Sequence, residues 1–345
     1  MEKELIRIIE ENLRIQHEES KKVEPGELDN KWALLTSSEP KRFINPDMTL
    51  KRDVLRNFRK LNIFITDSPP ETSFSLQLNP ISYVHGGRRG VMRYLKELYC
   101  LMADNDYLDL LKKHPVSTIG HPNIFRHKGF TYTARWVRHI FFLGLFRKVL
   151  AYKIKDDFVS LDIGSSYGIF SSLLKKENRL SCHILLDFPE QLVLAHYFIG
   201  STFPNARIAS YKELAGLKSI DRGFLGKYDF ILLPWFLYNK LGPNSVDMVT
   251  NFASFGEMRR EWFDYYLKSE PFLSTKYFFT ANRFQSYPEY DTDITILDYP
   301  LQDFKKLHFG ISPYFSHIYK MKNLFWYERY NFSSQYFAFI GERDN

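Results

Sequence analysis

The sequence predicts an α/β fold in which a mostly parallel sheet follows a mainly helical segment. Apolar runs of strand length recur through the second half of the chain, at 158–163, 182–186, 206–209, 228–235, 246–250 and 276–282. A small-residue turn, 164–168, joins the first of these runs to a segment with helical spacing. Two aromatic-rich runs, 325–329 and 336–341, fit late strands of the same sheet.

Length and composition indicate a folded chain of about two domains. The chain has 345 residues, and we divide it into a mainly helical N-terminal domain, 1–150, and a sheet domain, 151–345. A hydrophobic content of 44% and a charged content of 25% exclude large-scale disorder. Aromatic residues make up 17% of the chain. Core filling explains most of these rings, and stacking on a bound ligand is the alternative for a few.

Charge and cysteine usage exclude several classes of protein. The net charge is +7, but basic and acidic residues are interleaved, which favours a solvated surface over a nucleic-acid interface. A moderate positive field also favours an anionic substrate. Cys100 and Cys182 are the only cysteines, so neither a disulfide framework nor a zinc site is indicated. No apolar segment has the length of a membrane span, and we expect a cytoplasmic protein.

The N-terminal part begins with an amphipathic helix over 3–20. Its apolar residues fall at helical intervals among charges: Leu5, Ile8, Ile9, Leu13 and Ile15. This helix could pack on its own domain or on a second subunit, which makes a homo-oligomer possible. Breaks are predicted at 24–26 and 40–46, helical spacing resumes over 50–61, and 67–71 reads as a loop.

Two arginines precede the next helical segment, 91–102. Arg88 and Arg89 lie in a glycine-containing loop, where guanidinium groups could pair with a phosphate or carboxylate. A solvated basic loop is the alternative. Further on, 120–123 is a turn, and 132–150 is a helix that leads to the first strand of the sheet.

The turn Gly164-Ser165-Ser166-Tyr167-Gly168 is a candidate cofactor site, with a plain structural turn as the alternative. Glycines allow a ligand to approach the backbone, and the following helix presents unpaired N–H groups. A dinucleotide site requires a second close-approach glycine, but Ser166 stands there. Asp162, just before the turn, would repel a diphosphate and could serve the ammonium end of an amino-acid-like cofactor.

The second strand ends in another acid. Asp187 follows the run 182–186, where a carboxylate can accept hydrogen bonds from both ribose hydroxyls of a nucleoside cofactor. Phe188 and Pro189 come next, and proline suits the first turn of the helix predicted over 190–200. Together the turn and the acid favour S-adenosylmethionine over NAD.

These motifs resemble those of class I S-adenosylmethionine-dependent methyltransferases, which have a Rossmann-like, mostly parallel sheet with an antiparallel C-terminal strand. The finer pattern is similar to a bacterial family of sugar O-methyltransferases. The residues that carry this resemblance are Ser166-Tyr167-Gly168, Asp187-Phe188-Pro189, Asn251 to Met258 and, more weakly, Leu55 to Arg59 and Gly120-His121-Pro122. The chain departs from the family at Ser165-Ser166, where glycines are usual.

The resemblance implies a cofactor-binding set and a substrate-binding set. The cofactor-binding residues would be Asp162, Gly164, Ser165, Ser166, Tyr167, Gly168, Asp187, Phe188, Asn251 and Ser254. The substrate-binding residues would be Arg88, Arg89, Tyr132, Arg138 and Asn282, with Arg135 a further possible contact. Trp235 could lie near an adenine, or be an ordinary buried ring. We find no dense acid cluster that would require a metal.

Asn251, Ser254 and Glu257 follow the strand 246–250, at the sheet edge where ligands bind in parallel sheets. Ser254 and Glu257 also have the spacing of a capping box for a helix over 258–266, so Glu257 has a structural alternative. Methyl transfer to a hydroxyl needs alignment and a general base. We assign the base to His121, with Glu257 orienting the substrate or acting as the alternative base.

The sequence therefore predicts a cytoplasmic O-methyltransferase that acts on a sugar, such as a nucleotide-linked sugar, a surface glycan or a glycosylated small molecule. The cofactor follows from spacing and resemblance, whereas the sugar follows from resemblance alone. Two alternatives stay open: a methyltransferase for another small molecule or RNA, and a noncatalytic cofactor-binding or assembly protein.

Overall fold

The structure is a computed structural model that describes residues 2–20, 38–65, 87–286, 292–312, 318–322, 328–332 and 336–344. The predicted break at 24–26, the predicted loop at 67–71 and most of the predicted strand at 325–329 lie outside these residues.

The helices divide between the N-terminal segment and the crossovers of the sheet. The N-terminal helices are α1 (Glu2–Ser20), α2 (Pro40–Phe43), α3 (Arg52–Arg56), α4 (Gly87–Asp104), α5 (Leu108–Lys113) and α6 (Ala134–Val149). Those of the second half are α7 (Ile169–Glu177), α8 (Pro189–Thr202), α9 (Tyr211–Gly216), α10 (Arg222–Leu225), α11 (Arg260–Leu267) and α12 (Glu270–Leu273).

Strands β1 (Phe125–His127) and β2 (Phe130–Tyr132) form a small hairpin. The seven main strands are β3 (Val159–Ile163), β4 (Cys182–Asp187), β5 (Phe230–Pro234), β6 (Met248–Phe252), β7 (Tyr277–Arg283), β8 (Lys305–Ser312) and β11 (Tyr336–Glu342). Strands β9 (Ile318–Lys322) and β10 (Glu328–Phe332), which lie between β8 and β11 in the sequence, form a separate two-stranded antiparallel sheet.

The main sheet has the order β5-β4-β3-β6-β7-β11-β8. Strands β3 to β7 are parallel, and β11 runs antiparallel to both β7 and β8. The predicted fold is therefore confirmed, a mostly parallel Rossmann-like sheet with an antiparallel C-terminal strand. Because the chain moves outward from β3 in both directions, the carboxyl ends of β3 and β6 meet at a topological switch point, where open sheets of this kind bind ligands.

Successive side chains of each strand point to opposite faces of the sheet, so the sheet has an apolar layer on each face. Phe230 and Leu232 of β5 pack into one layer, which also contains side chains of α1, α6, α7 and α8. Ile231 and Leu233 pack into the other, with side chains from α9 and α11. Helices thus cover both faces, which explains why the parallel strands read as continuous apolar runs. The first layer joins residues from the predicted N-terminal domain and the sheet domain in one cluster.

Several sequence predictions were wrong in detail. The run 206–209 forms no strand; Ile208 makes only an isolated bridge to Phe230. Strand β8 and the β1–β2 hairpin were missed, and helical structure within 50–61 is confined to α3. Helix α11 begins at Arg260, two residues after the predicted start.

Local chemistry explains the starts of the helices around the sheet. Thr133 caps α6, since its hydroxyl accepts a hydrogen bond from the Trp136 N–H. Pro189 occupies the first turn of α8, as predicted. Gly168 precedes α7 with a φ of 81°, a left-handed conformation that glycine adopts without strain.

Helix α1 packs on its own chain. Ile6, Ile9 and Leu13 are buried in the layer that contains α8. Near its middle, the Asn12 side chain accepts a hydrogen bond from the Tyr211 N–H, the first amide of α9. Helix α1 is thus bound to the sheet domain by apolar burial and by a polar contact.

Replacing Ile9 by alanine tests this attachment. Ile9 is 1% exposed, so Ile9→Ala should lower the free energy of unfolding by about 2–5 kcal/mol. Ile8→Ala is the matched control, because Ile8 is only half-buried and should contribute about 1 kcal/mol or less. Urea unfolding followed by circular dichroism measures both. Equal losses for the two variants would contradict the packing described for α1.

Candidate functional site

The turn between β3 and α7 directs its backbone toward the end of β4. The Gly164 and Ser165 N–H groups both donate to the Leu186 carbonyl, at 2.9 and 3.2 Å. The Ser166 N–H donates to Asp187 Oδ2 at 2.8 Å. Three successive amides are therefore engaged by β4. This arrangement requires left-handed conformations, with φ of 72° at Gly164 and 54° at Ser166.

Asp187 is the acceptor that completes this arrangement. Its Oδ1 accepts the Phe188 N–H at 2.8 Å, while Oδ2 accepts that of Ser166. Burial raises the pKa of Asp187 to about 7, although the two backbone donors oppose the rise. Each oxygen keeps a second lone pair, so the carboxyl group could accept further hydrogen bonds from a ligand.

Asp162 lies deeper, within β3. It is 4% exposed, and its Oδ1 accepts a hydrogen bond from the Thr250 hydroxyl of β6 at 2.8 Å. Burial raises the pKa of Asp162 to about 7, with a smaller contribution from Asp187. The charged form is costly there, because one hydroxyl donor cannot replace water around a carboxylate.

The side chain of Ser166 joins two helices across the turn. Its hydroxyl oxygen accepts hydrogen bonds from Gln191 Nε2 of α8 at 3.0 Å and from Arg135 Nη1 of α6 at 3.3 Å. Nearby, Ser165 Oγ and Gln191 Oε1 are buried without a hydrogen-bond partner. Buried polar atoms are nearly always paired, so these two atoms suit a ligand that would complete them.

The ends of β6 and β7 are joined by a polar network. The Asn251 amide donates to the Ile163 carbonyl at 2.7 Å, and its Oδ1 accepts from Asn282 Nδ2 at 2.8 Å. The Ser254 hydroxyl also donates to the Ile163 carbonyl, at 3.2 Å. Both asparagines are fully buried. The network fixes the three strand ends together, and it brings Asn251, Ser254 and Asn282 beside the turn.

Glu257 is held by an ion pair. Its Oε1 lies 2.8 Å from Arg283 Nη2 at the end of β7, and both side chains are largely buried. The predicted capping box is wrong: Ser254 makes no side-chain cap, and a single 3₁₀ turn, Phe255–Glu257, precedes α11. A buried pair of this kind fixes the loop, because separating the two charges would leave one of them unpaired in the interior.

The Tyr167 side chain packs among aromatic rings of the core. It is fully buried, with its ring 5.3 Å from Phe58 and 5.0 Å from Phe198, and with the Arg59 guanidinium 5.4 Å from the ring. The ring attaches the turn to the N-terminal segment.

His121 lies in the segment between α5 and β1. Gly120, before it, packs so closely on Phe58 that a Cβ there would collide with the ring. The His121 side chain is exposed, and its Nδ1 lies 3.0 Å from Asn57 Oδ1, an acceptor. Nδ1 therefore donates in this contact.

The predicted substrate-binding residues lie on four different elements, with Asn282 on β7. Arg88 and Arg89 lie in the first turn of α4 rather than in a loop, and the structure describes only their backbone. Tyr132 is in β2, fully buried, and its hydroxyl donates to the Leu95 carbonyl at 2.7 Å. Arg138 lies one turn after Arg135 on α6 and is half-buried.

Four further residues contact the turn or the strand ends beside it, and no sequence motif pointed to them: Thr250, Gln191, Arg283 and His139. His139 Nδ1 lies 2.8 Å from the Arg135 carbonyl, and its ring contacts Phe252 at the end of β6. Burial lowers the pKa of His139 to about 3, so the ring is neutral. Its spacing of four residues from Arg135 was the available signal, since such residues share a helix face.

A groove of about 470 Å³ lies elsewhere, between α6 and β8. Within the described residues, no three His, Cys, Asp or Glu side chains are grouped as metal ligands. The same part of the chain contains no helix long and apolar enough to cross a bilayer.

Strand order and turn define a Rossmann-like α/β protein. No family model and no curated protein matches the chain by sequence. Among solved structures it is similar to the Bacillus subtilis tRNA methyltransferase TrmK, with 10% identity over 56% of this chain and 64% of that one and a TM-score of 0.32. Haemophilus influenzae TehB shares 14% identity over 56% of this chain and 60% of its own, with a TM-score of 0.36. The mitomycin 7-O-methyltransferase MmcR shares 9% identity over 60% of this chain and 57% of its own, with a TM-score of 0.34. The similarity thus spans under two thirds of each of these proteins.

The raised pKa of Asp162 predicts a pH-dependent stability. A carboxyl group whose folded pKa, about 7, exceeds its ordinary value of 3.8 stabilises the fold at low pH, and this stabilisation is lost as pH rises through 7. Asp162→Asn removes the titration and keeps an acceptor for Thr250. The stability of the wild type relative to this variant should therefore fall between pH 4 and 7, by up to about 1.4 kcal/mol per pH unit.

Urea unfolding of both proteins at pH 5 and pH 8 measures this difference. Asp109→Asn is the control, because Asp109 is exposed. Parallel profiles for the wild type and Asp162→Asn would show that Asp162 ionises normally in the folded chain.

Proposed function

We propose that the protein is an S-adenosylmethionine-dependent methyltransferase that transfers a methyl group to a sugar hydroxyl. The observation that carries the proposal is the Asp187 carboxyl group at the end of β4, which accepts the Ser166 N–H of the turn. An acid fixed at this point beside a switch-point turn is suited to ribose hydroxyls.

The polar atoms around the turn support a nucleoside ligand with an amino-acid end. Asp187 would hold the ribose, and Ser165 Oγ and Gln191 Oε1 are acceptors that a ligand would complete. Asp162 and Arg135 offer one negative and one positive partner for a zwitterion. The Gly164, Ser165 and Ser166 amides already donate to β4, which argues against a pyrophosphate and hence against NAD.

When bound, the cofactor supplies an electrophilic methyl group on a sulfonium. The chain has to align the acceptor hydroxyl and remove its proton. His121 is the proposed base, and its hydrogen bond to Asn57 would orient the ring. His139 is a weaker candidate: its ring contacts Phe252 at the end of β6, but burial lowers its pKa to about 3, which makes it a poor proton acceptor at neutral pH. The Arg283 ion pair favours a positioning role for Glu257.

The sugar acceptor is supported by the motif resemblance in the Asn251 to Met258 segment and by the net charge of +7. A positive field attracts an anionic acceptor, so nucleotide-linked sugars are the first class to test.

Calorimetric titration tests the cofactor. S-adenosylmethionine and S-adenosylhomocysteine should bind the wild type, and NAD should not. Asp187→Asn should weaken S-adenosylhomocysteine about 10- to 100-fold, because it removes a charged acceptor. Asp104→Asn is the control, since Asp104 is exposed at the end of α4. Absence of binding by both adenosyl ligands, to the wild type and to a Ser166→Gly variant alike, would refute the proposal.

Transfer of a labelled methyl group from S-adenosylmethionine tests the acceptor. The wild type should label a compound in a panel of nucleotide-linked sugars, and substitution of the base, His121→Ala or His139→Ala, should slow transfer about 10²–10⁴-fold. Labelling of total tRNA instead of the sugars would contradict the sugar acceptor and indicate that the protein methylates RNA.

A further inference from the structure

Ser166 occupies the position in the turn where a ligand approaches the backbone most closely. Its φ of 54° lies in the left-handed region, which glycine adopts freely and which serine adopts under strain. Compared with glycine, serine adds a Cβ and a hydroxyl group on the side of the turn that faces α6 and α8. These added atoms determine what the turn presents to a ligand.

The hydroxyl group is fully engaged as an acceptor. Gln191 reaches it from the first turn of α8, directly after Asp187, at 3.0 Å. Arg135 reaches it from the first turn of α6 at 3.3 Å. The Arg135–Ser166–Gln191 bridge therefore crosses the turn from one flanking helix to the other.

A similar contact covers the other close-approach position. Ser254 packs on Gly164, and a Cβ at Gly164 would collide with both Cβ and Oγ of Ser254. The Ser254 hydroxyl is fixed by its hydrogen bond to the Ile163 carbonyl at 3.2 Å. Side chains thus contact the turn at both Gly164 and Ser166.

We propose that Ser166 lowers the affinity of the site for its adenosyl ligand by closing the turn in the ligand-free chain. A ligand that runs from Asp187 toward Asp162 passes this hydroxyl, so it displaces the hydrogen bonds from Arg135 and Gln191. Binding then selects an open state of the bridge, and the apparent affinity is reduced by the fraction of chains in which the bridge is open. This inference rests on the proposed cofactor.

Removing the hydroxyl group should tighten binding. Ser166→Ala deletes both hydrogen bonds, and Ser166→Gly also removes the Cβ and the backbone strain. We expect the dissociation constant of S-adenosylhomocysteine, measured by calorimetry, to fall about 3- to 10-fold in Ser166→Ala and at least as much in Ser166→Gly. Ser165→Ala should have the opposite effect and weaken binding, because Ser165 Oγ is a proposed ligand contact. Ser219→Ala, at an exposed serine, should change nothing.

Thermal unfolding gives a readout that does not depend on the ligand. Without ligand, Ser166→Ala should melt about 1–3 °C below the wild type, because the bridge is lost. Lower stability combined with higher affinity distinguishes a closing contact from a simple packing defect. Ser166→Gly keeps the test valid if the alanine variant misfolds, since glycine suits the left-handed conformation.

The possible outcomes separate the two proposals. Tighter binding by the Ser166 variants, or binding by Ser166→Gly where the wild type shows none, supports the closure. Wild-type binding with equal or weaker binding by both Ser166 variants overturns the closure and leaves the cofactor proposal standing. Failure of every variant to bind either adenosyl ligand overturns both.

Discussion

The hydrogen bond from the Ser166 N–H to the Asp187 carboxyl group fixes the turn against the second strand of the sheet. Together with the Gly164 and Ser165 amides, which donate to Leu186, it directs three consecutive N–H groups sideways rather than toward a ligand. The left-handed conformations of the turn follow from this arrangement. So does the start of α7, since Gly168 can begin the helix only after the chain has turned away from β4.

The same end of the sheet contains carboxyl groups that burial makes expensive to ionise. Burial raises the pKa of both Asp162 and Asp187 to about 7, and the partners of each are neutral hydroxyl or amide donors. A ligand that brings further donors, or a positive charge, would lower the free energy of the ionised forms. The opposite end of the sheet differs in this respect, because Lys175 there lies 2.7 Å from the Asp229 carboxylate.

Sequence patterns predicted the parallel core of the fold because its strands are buried on both faces and read as continuous apolar runs. They failed at β8, whose exposed edge alternates lysine, histidine and glycine with apolar residues, and at the short β1–β2 hairpin. In the site, motif spacing found Asp162, Asp187 and the turn. It could not find Gln191 or Arg283, because their roles depend on packing between distant segments of the chain. Spacing also left a capping box open as an alternative for Glu257, where a buried arginine from β7 provides the actual partner.

The serine in the turn can be understood as a balance between strain and bonding. A left-handed serine costs about 1–2 kcal/mol relative to glycine, and each hydrogen bond to its hydroxyl returns about 1 kcal/mol. In the ligand-free chain the hydrogen bonds from Arg135 and Gln191 therefore offset most of this strain. When a ligand displaces these two side chains, both hydrogen bonds to Ser166 are lost and the backbone strain is no longer offset. The ligand therefore has to supply contacts of its own that compensate for this loss. Arg135 offers a charge, Gln191 offers an unpartnered oxygen, and Ser165 offers a buried hydroxyl. A ligand with both an acidic group and hydrogen-bond donors near its amino-acid end can use all three, which is a further reason to favour an adenosyl amino acid over a dinucleotide.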